Sequence, residues 1–245
     1  MASIKRVLST PDGDHFYVRE GEKDCHTQYG VAKDVLKAKD GSKVVSNTGK
    51  EFFVFSPFYA DIYKKIKRGA QIIPLKDIGL IVAETGIGKE SVIVDAGAGS
   101  GALSCFLAHI AKEVVTYEIR EDFMEIVKKN ISFLGLKNIM IKHKNIYEGI
   151  DEKNVDVVTL DVPEPWKAID SAADALKAGG FLVAYCPTIP QTADFVNAIH
   201  DNTRFTHIKT VEVIEREWEV AGRKVRPKST SIGHSGILSF CRKLQ

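Results

Sequence analysis

The residues best able to do chemistry lie in two short runs. The first, residues 92–103, reads Val-Ile-Val-Asp-Ala-Gly-Ala-Gly-Ser-Gly-Ala-Leu: a β-branched run, an acid at Asp95, then glycines at 97, 99 and 101. Such a run reads as a buried strand. Alternating glycines let the chain turn tightly and bring bare backbone against a ligand. The apolar, breaker-free residues 102–111 supply the helix that must follow. A strand-to-helix turn of this kind holds a nucleotide-shaped ligand. The second run is Asp-Val-Pro-Glu-Pro-Trp at 161–166. Two prolines in three residues fix a rigid turn there, presenting the carboxylate of Asp161 and the flat ring of Trp166.

Spacing narrows the ligand. A dinucleotide site expects G-x-G-x-x-G with an acid about 20 residues further on. Here the spacing is G-x-G-x-G, and the next strand, 113–118, ends at Glu118. A carboxylate there can accept hydrogen bonds from both ribose hydroxyls of an adenosine. No phosphate-loop Gly-Lys-Ser/Thr accompanies it. An adenosine without phosphates points to S-adenosylmethionine (SAM), with an NAD site or a mere tight turn as the alternatives.

Asp161 would be an uncompensated charge at a buried strand end unless it has a task, although Pro165 could simply open a helix. Methyl transfer from a sulfonium needs alignment and a well-placed lone pair more than covalent help. Adenine N1 has such a lone pair, and its methylation makes the ring cationic. A carboxylate near N1 and the exocyclic amine would stabilise that charge and could receive the amine proton.

These groups need a frame. Residues 15–20, 42–46 and 51–56 read as short strands separated by Asp12-Gly13, Asp40-Gly41 and Asn47-Thr48-Gly49 turns. That predicts a small β-rich N-terminal domain over 1–57, then a linker helix (58–68) and connection to residue 76. From 77 the pattern alternates: helices at 77–85, 102–111, 121–134, 165–178 and 192–200, and strands at 91–95, 113–118, 139–143, 155–161 and 181–186. Extended segments at 206–216 and 236–243 close the chain. The helix at 121–134 is amphipathic, with Phe123, Ile126, Val127, Ile131 and Leu134 at helical spacing. Alternation closed by two strands predicts an α/β domain over 77–245, Rossmann-like, with a mostly parallel sheet and an antiparallel edge. That is the SAM-dependent methyltransferase architecture. Its ligand lies beyond the carboxyl ends of the strands, where Asp95, Glu118, Asn145 and Asp161 gather; Asn145 could meet an adenine edge or merely form a turn.

Composition sets bounds. The 245 residues carry 34 Lys+Arg against 32 Asp+Glu, a net charge of +2, and are 44% hydrophobic. The balance argues only weakly against a nucleic-acid partner, because basic runs occur at Lys64, Lys65, Lys67, Arg68 and at Arg223, Lys224, Arg226, Lys228. A charge run is more often a solvated face. No apolar stretch approaches the ~20 residues of a membrane span, and the N-terminus lacks a signal-peptide core, so a cytoplasmic location is expected. The four scattered cysteines form no C-x-x-C pair. They read as buried reduced thiols rather than zinc ligands, with intersubunit disulfides as the alternative.

With these residues in view, the sequence resembles the tRNA adenine-N1 methyltransferases that modify the T loop, in their archaeal form. The likeness runs through nearly the whole chain. Residues 25–30 resemble the family's His-Thr-x-x-Gly turn, and residues 71–77 its segment before the SAM domain. Asp-Val-Pro-Glu-Pro-Trp at 161–166 is similar to its Asp-Leu-Pro-x-Pro-Trp. Ala184 to Pro187 with Gln191, and the tail Arg216-Glu217-Trp218, Arg226-Pro227, Gly233-His234-Ser235-Gly236 and Arg242-Lys243, also fit.

The resemblance implies a class I SAM-dependent methyltransferase with a seven-stranded sheet. It implies a homotetramer acting on adenine 58 of tRNA, and in archaeal members sometimes also adenine 57. Asp161 becomes the catalytic carboxylate and Tyr185 a wall of the target-base pocket. The expected cofactor-binding set is Gln71, Asp95, Gly97, Ala98, Gly99, Ser100, Gly101, Ala102, Leu103, Glu118, Asn145, Ile146 and Asp161. Pro163, Trp166, Arg68 and Arg226 are expected to meet substrate, and no metal is expected. Two departures stand out: Pro74 replaces a Tyr or His that flanks the target base, and Asn145 replaces the usual Asp near the adenine of SAM. His26 and His234 are expected to serve turns or packing. Two competing readings are an isoaspartyl-type protein methyltransferase, whose carboxylate substrate Asp161 would repel, and a non-catalytic tRNA-binding subunit, whose glycine turn should be degraded.

Overall fold

The structure, a computed structural model, describes residues 2–69, 71–230 and 232–245. The chain divides into two compact units, Met1–Lys67 with Ser132–Gly135, and Arg68–Ile131 with Leu136–Gln245.

The first unit contains β1 (Ile4–Ser9), β2 (His15–Arg19), β3 (Cys25–Thr27), β4 (Gly30–Ala32), β5 (Lys43–Val45) and β6 (Glu51–Phe55). Four of them form an antiparallel sheet in the order β2-β1-β6-β5, and β3 and β4 form a hairpin. Leu8, Val18, Phe52 and Val54 are buried between them with Cys25, Ala32 and Val35. The predicted strands are all present. β1 and the β3–β4 hairpin are additions, because Lys5 and Arg6 interrupt the apolar pattern of β1 and three-residue strands carry almost none. The predicted linker helix is cut short: α1 spans only Tyr59–Tyr63. Lys65 and Ile66 then bond to carbonyls three residues back. Like charges one turn apart repel, which disfavours a regular helix through the cations at 64–68.

The second unit holds α2 (Leu75–Thr85), β7 (Val92–Ala96), α3 (Ala102–Ile110), β8 (Glu113–Glu118), α4 (Glu121–Leu134), β9 (Ile139–His143) and β10 (Val155–Leu160). There follow α5 (Ile169–Ala175), β11 (Leu176–Cys186), α6 (Ile189–His200), β12 (Phe205–Glu212), β13 (Trp218–Ala221), β14 (Lys224–Pro227) and β15 (Ile237–Lys243). The sheet order is β12-β15-β11-β10-β7-β8-β9. β7 to β11 pair in parallel, and β15 runs antiparallel to both neighbours. The expected mostly parallel, seven-stranded sheet with a reversed C-terminal strand is therefore observed. Val94, Val115, Val158, Leu160 and Leu182 are buried in its core. Strand order reverses between β7 and β10, which opens a crevice beyond their carboxyl ends.

Two elements differ from expectation. The helix predicted over 165–178 is a 3-10 turn at Pro165–Ala168 followed by α5, and Leu176 already pairs with Val155. Gly180 makes that early switch possible, since a Cβ there would lie 3.0 Å from the Lys177 carbonyl and 3.1 Å from that of Asp156. The extended segment predicted over 206–216 ends at Glu212. Beyond it β13 and β14 form a largely exposed hairpin with no buried face to mark it in the sequence.

Candidate active site

At the end of β7 the chain must turn under β10. Gly97 has φ +72°, and a Cβ there would lie 1.9 Å from the Asp161 carbonyl oxygen. Only glycine fits this approach, which is fastened by the Asp161 amide bonding Ala96 O at 2.7 Å. Gly99 donates its amide to Glu118 Oε2 at 2.9 Å. Gly101, φ +73°, starts α3 and packs against Val127. Ser100 Oγ accepts the Gly69 amide at 2.8 Å, and Asn130 donates to the Ser100 carbonyl.

Two carboxylates beside this turn are held by the fold itself. Glu118 Oε1 accepts the amides of Ile119 and Arg120, both at 2.9 Å, while Oε2 takes Gly99. A carboxylate has about four lone-pair sites, so Glu118 is fixed yet keeps acceptor capacity at the cleft it lines. Asp95 is buried; Thr159 Oγ1 donates to its Oδ1 at 2.7 Å and Thr116 Oγ1 to its Oδ2 at 2.8 Å. It thereby ties β7 to both neighbouring strands. Burial pushes it up to about 6, against the pull of the two threonines.

Asp161 stands one strand away in a different state. Among the described residues its carboxylate accepts no hydrogen bond, and burial, then the charge of Asp95, pushes it up to about 7. Its loop is braced from outside: Tyr147 Oη accepts the Glu164 amide at 3.0 Å, and Gln191 Nε2 donates to Pro163 O at 3.0 Å. β10 and β11 pair Leu160 with Ala184, so the next residues, Asp161 and Tyr185, lie side by side at the strand ends. Tyr185 is 7% exposed and its hydroxyl has no hydrogen-bond partner among the described residues. Ser235 is near enough to pull on the phenol, but the two do not meet in hydrogen-bonding geometry. Burial pushes the phenol up to about 12, with Asp77 and Asp161 adding to the rise.

A cleft of about 380 Å³ gathers Gln71, Gly97, Gly99, Glu118, Asn145, Ile146, Asp161 and Pro163. A narrow continuation brings in Asp95, Ala98, Ser100, Ala102 and Leu103. Of the expected residues, Gly101 acts in the turn rather than on the cleft, and Tyr185 lies behind its open surface. The Trp166 ring packs against the sheet core. Arg68 is exposed outside the cleft, and Arg226, on β14, pairs with Glu219 at 2.8 Å. Asn145 is also a turn-former, its Oδ1 accepting the Tyr147 amide at 3.1 Å. Pro74 caps α2 and lines a separate cavity of about 360 Å³. His234 bridges Glu212 Oε1 at 2.6 Å and Pro187 O at 2.8 Å, contacts that hold its ring above the usual histidine range. The four cysteines are buried thiols outside any disulfide among the described residues, all pushed up by burial to about 11 or 12. No cluster of three or more potential metal ligands occurs among the described residues.

Sequence reasoning missed Tyr117, Arg120, Phe123, Lys144 and Tyr147 as cleft residues. Position just after a strand end could have marked Arg120 and Lys144. Phe123 belongs to the apolar face of α4 and Tyr117 to the strand before Glu118, and both are buried. The donors, glycine cradle and free acceptors suit an adenosine-bearing ligand in a pocket of ordinary size, about 300–1,000 Å³.

Comparison with known proteins agrees with this geometry. A family profile described as "tRNA methyltransferase complex GCD14 subunit" matches residues 63–236. The chain is 32% identical to the tRNA (adenine(57)-N(1)/adenine(58)-N(1))-methyltransferase TrmI of Methanocaldococcus jannaschii, over 97% of this chain and 94% of that one. It is 33% identical to the tRNA (adenine(58)-N(1))-methyltransferase TrmI of Thermus thermophilus, over 93% and 91%. Among solved structures it is similar to a SAM-dependent O-methyltransferase of Thermotoga maritima, with TM-score 0.88, 30% identity, and coverage of 100% and 94%. It is also similar to the tRNA (m1A58) methyltransferase TrmI of Aquifex aeolicus, with TM-score 0.84, 25% identity, and coverage of 100% and 98%. The chain belongs to the GCD14 family of tRNA methyltransferases, alongside the TrmI enzymes.

Proposed function

We propose that this protein transfers a methyl group from SAM to N1 of adenine 58 in the T loop of tRNA. The observation that carries the reaction is Asp161, a recessed carboxylate that accepts no hydrogen bond among the described residues, beside a glycine turn whose own polar groups are engaged. When bound, SAM supplies an activated methyl on a sulfonium. Glu118 is suited to accept from the ribose hydroxyls, and Asn145 and Ile146 to border the adenine. Asp161 orients the exocyclic amine of the target base, stabilises the charge that develops on the ring, and can take the amine proton. The target adenine lies within a folded loop, so it must be flipped out to reach Asp161.

Incubating the protein with tritiated SAM and unmodified tRNA should yield label that migrates as 1-methyladenosine after digestion. Label only at N6, or on protein, sinks the reading. The Methanocaldococcus relative is named for both 57 and 58, so the site should be mapped in transcripts altered at each position. A cytoplasmic enzyme fits this substrate, and among the described residues no helix is long and apolar enough to cross a membrane.

For the tRNA path, Arg68 is the more available of the two expected arginines. Lys224, Arg226 and Lys228 are paired with Glu219 and Glu217. A homotetramer is also proposed. Exposed Trp218, Val220 and Val225 on the β13–β14 hairpin, with Ile214 and Ile232 nearby in the chain, give apolar surface that assembly would cover. Analytical ultracentrifugation tests it, and a monomer at micromolar concentration removes it.

A further inference from the structure

Tying β7 to its two neighbours does not require a charge at Asp95. A neutral asparagine could bridge Thr116 and Thr159 as well, and a buried charge is costly. Asp95 also lines the narrow continuation of the cleft, with Gln71, Ala98, Leu103 and Asp161. Among the described residues, no lysine, arginine or histidine lines that part. The cations of the cleft, Arg120 and Lys144, stand in the wider part with Glu118 and Asn145. The titratable groups that face Asp95 are Glu118 from β8, Asp161 from the end of β10 and Cys105 from α3. Two are acids and the third is a thiol pushed up to about 12, so none compensates a negative charge.

The position of Asp95 is fixed, but its charge is not. A threonine hydroxyl can donate or accept, so Thr116 and Thr159 can hold the carboxyl group with or without its proton. Burial and the neighbouring acids oppose ionisation, and a cation arriving in the narrow part would favour it. The cofactor brings such a cation. With the ribose at Glu118 and the adenine beside Asn145 and Ile146, the sulfonium end of SAM is left for the narrow part. S-adenosylhomocysteine (SAH), the spent cofactor, lacks one methyl group and one positive charge; the amine and carboxylate are common to both.

We infer that Asp95 is the specificity-determining residue by which the cleft tells SAM from SAH: once ionised, it compensates the sulfonium and finds nothing to compensate in the thioether. This rests on SAM as the cofactor of the reading above and not on which base receives the methyl. Asp161 modulates the effect by repulsion, since removing its charge lets Asp95 ionise at lower pH.

The test is calorimetric titration of the whole protein with SAM, SAH and sinefungin between pH 5 and pH 7. Sinefungin has an amine-bearing carbon in place of the methylated sulfur and so keeps the cation without the sulfonium. A nearby opposite charge lowers a carboxyl pKa by about 1–3. The preference for SAM over SAH should therefore grow by about five- to tenfold from pH 5 to pH 7, and sinefungin should follow SAM. In Asp95→Asn the ratio should be flat with pH. In Asp161→Asn the rise should persist and begin at lower pH. Melting temperature shows whether each variant is folded. Should Asp95→Asn fail to fold, Thr116→Val decides: it removes a donor that favours the charged form, so the rise should move to higher pH. A wild-type ratio that ignores pH overturns the inference. So does an unaltered rise in Asp95→Asn or Thr116→Val, or sinefungin behaving like SAH. Binding of none of the three ligands overturns it together with SAM as the cofactor. Failure of the adenine-N1 reading looks different: the ratio would still rise with pH, and tRNA would gain no 1-methyladenosine.

Discussion

The two halves of the cleft floor handle polarity in opposite ways. At the ends of β7 and β8, both oxygens of Asp95 and both of Glu118 are held by threonine hydroxyls or backbone amides. At the ends of β10 and β11, the Asp161 carboxylate and the Tyr185 hydroxyl have no hydrogen-bond partner among the described residues. Saturated groups are held by the chain itself and stay in place whatever is bound. Unsaturated buried groups cost stability and make sense where a ligand completes them. The first half is shaped for a constant ligand, the second for a group that arrives and leaves.

The largest effect should come from the unsaturated half. Asp161→Ala should lower kcat by about 10²–10⁴-fold while SAM affinity, measured by calorimetry, changes little. Glu118→Ala should do the reverse, weakening SAM binding with a much smaller loss of kcat at saturating SAM. Equal losses of kcat in the two variants would erase the distinction between the halves.

The saturated half should instead be intolerant of added volume. Gly97→Ala places a methyl 1.9 Å from the Asp161 carbonyl oxygen, so backbone must move. We expect a loss of about 3 kcal/mol in stability and impaired SAM binding. Gly99→Ala meets nothing nearer than 3.8 Å and suffers only its φ of +52°, a cost of about 1–2 kcal/mol. Thermal melts of the two variants should separate them, and equal melting temperatures would show that the turn is not pinned by β10.

Legibility in the sequence followed the same division. β8, α4 and β9 have the bounds that periodicity assigns them, because each presents a clean apolar pattern. The glycine turn was legible because its three glycines fall within a run of five residues, although the groups they approach, Asp161 and Glu118, lie far along the chain. Asp161 was visible as a charge where a strand should end. The braces on its loop were not: Tyr147 and Gln191 reach it across 17 and 28 residues, and nothing near them in sequence marks the contact. The β3–β4 and β13–β14 hairpins were missed because strands of three or four residues carry too little pattern.

A smaller effect should appear as a pH dependence confined to the unsaturated half. Asp161 is pushed up to about 7 and Asp95 to about 6. If the ionised form of Asp161 serves the reaction, kcat/KM should rise with pH through about 7, and Asp161→Asn should remove that limb. Stability moves the opposite way. Between the unfolded carboxylate value near 4 and the raised folded value, the native state binds more protons than the unfolded chain, so stability falls as pH rises through that window. The fall attributable to Asp161 should be on the order of 2–4 kcal/mol between about pH 4 and pH 7. Denaturant melts of wild type and Asp161→Asn over that range measure it, and parallel curves would mean that Asp161 is not desolvated.

The smallest expected effect is the sharpest on the comparison. In the saturated half, removing a polar partner should always cost stability, because a buried carboxylate is left short of a bond. Tyr185→Phe removes a polar atom that has no partner among the described residues and keeps the ring that Gly236 is shaped around. Its melting temperature should therefore equal the wild-type value or exceed it, by the equivalent of about 1 kcal/mol at most. Activity on tRNA should nevertheless fall. A hydroxyl that lowers stability or leaves it unchanged, yet is needed for turnover, is held for the substrate. If the variant instead melts several degrees lower with turnover intact, the hydroxyl belongs to the fold, and Tyr185 moves to the side of Asp95 and Glu118.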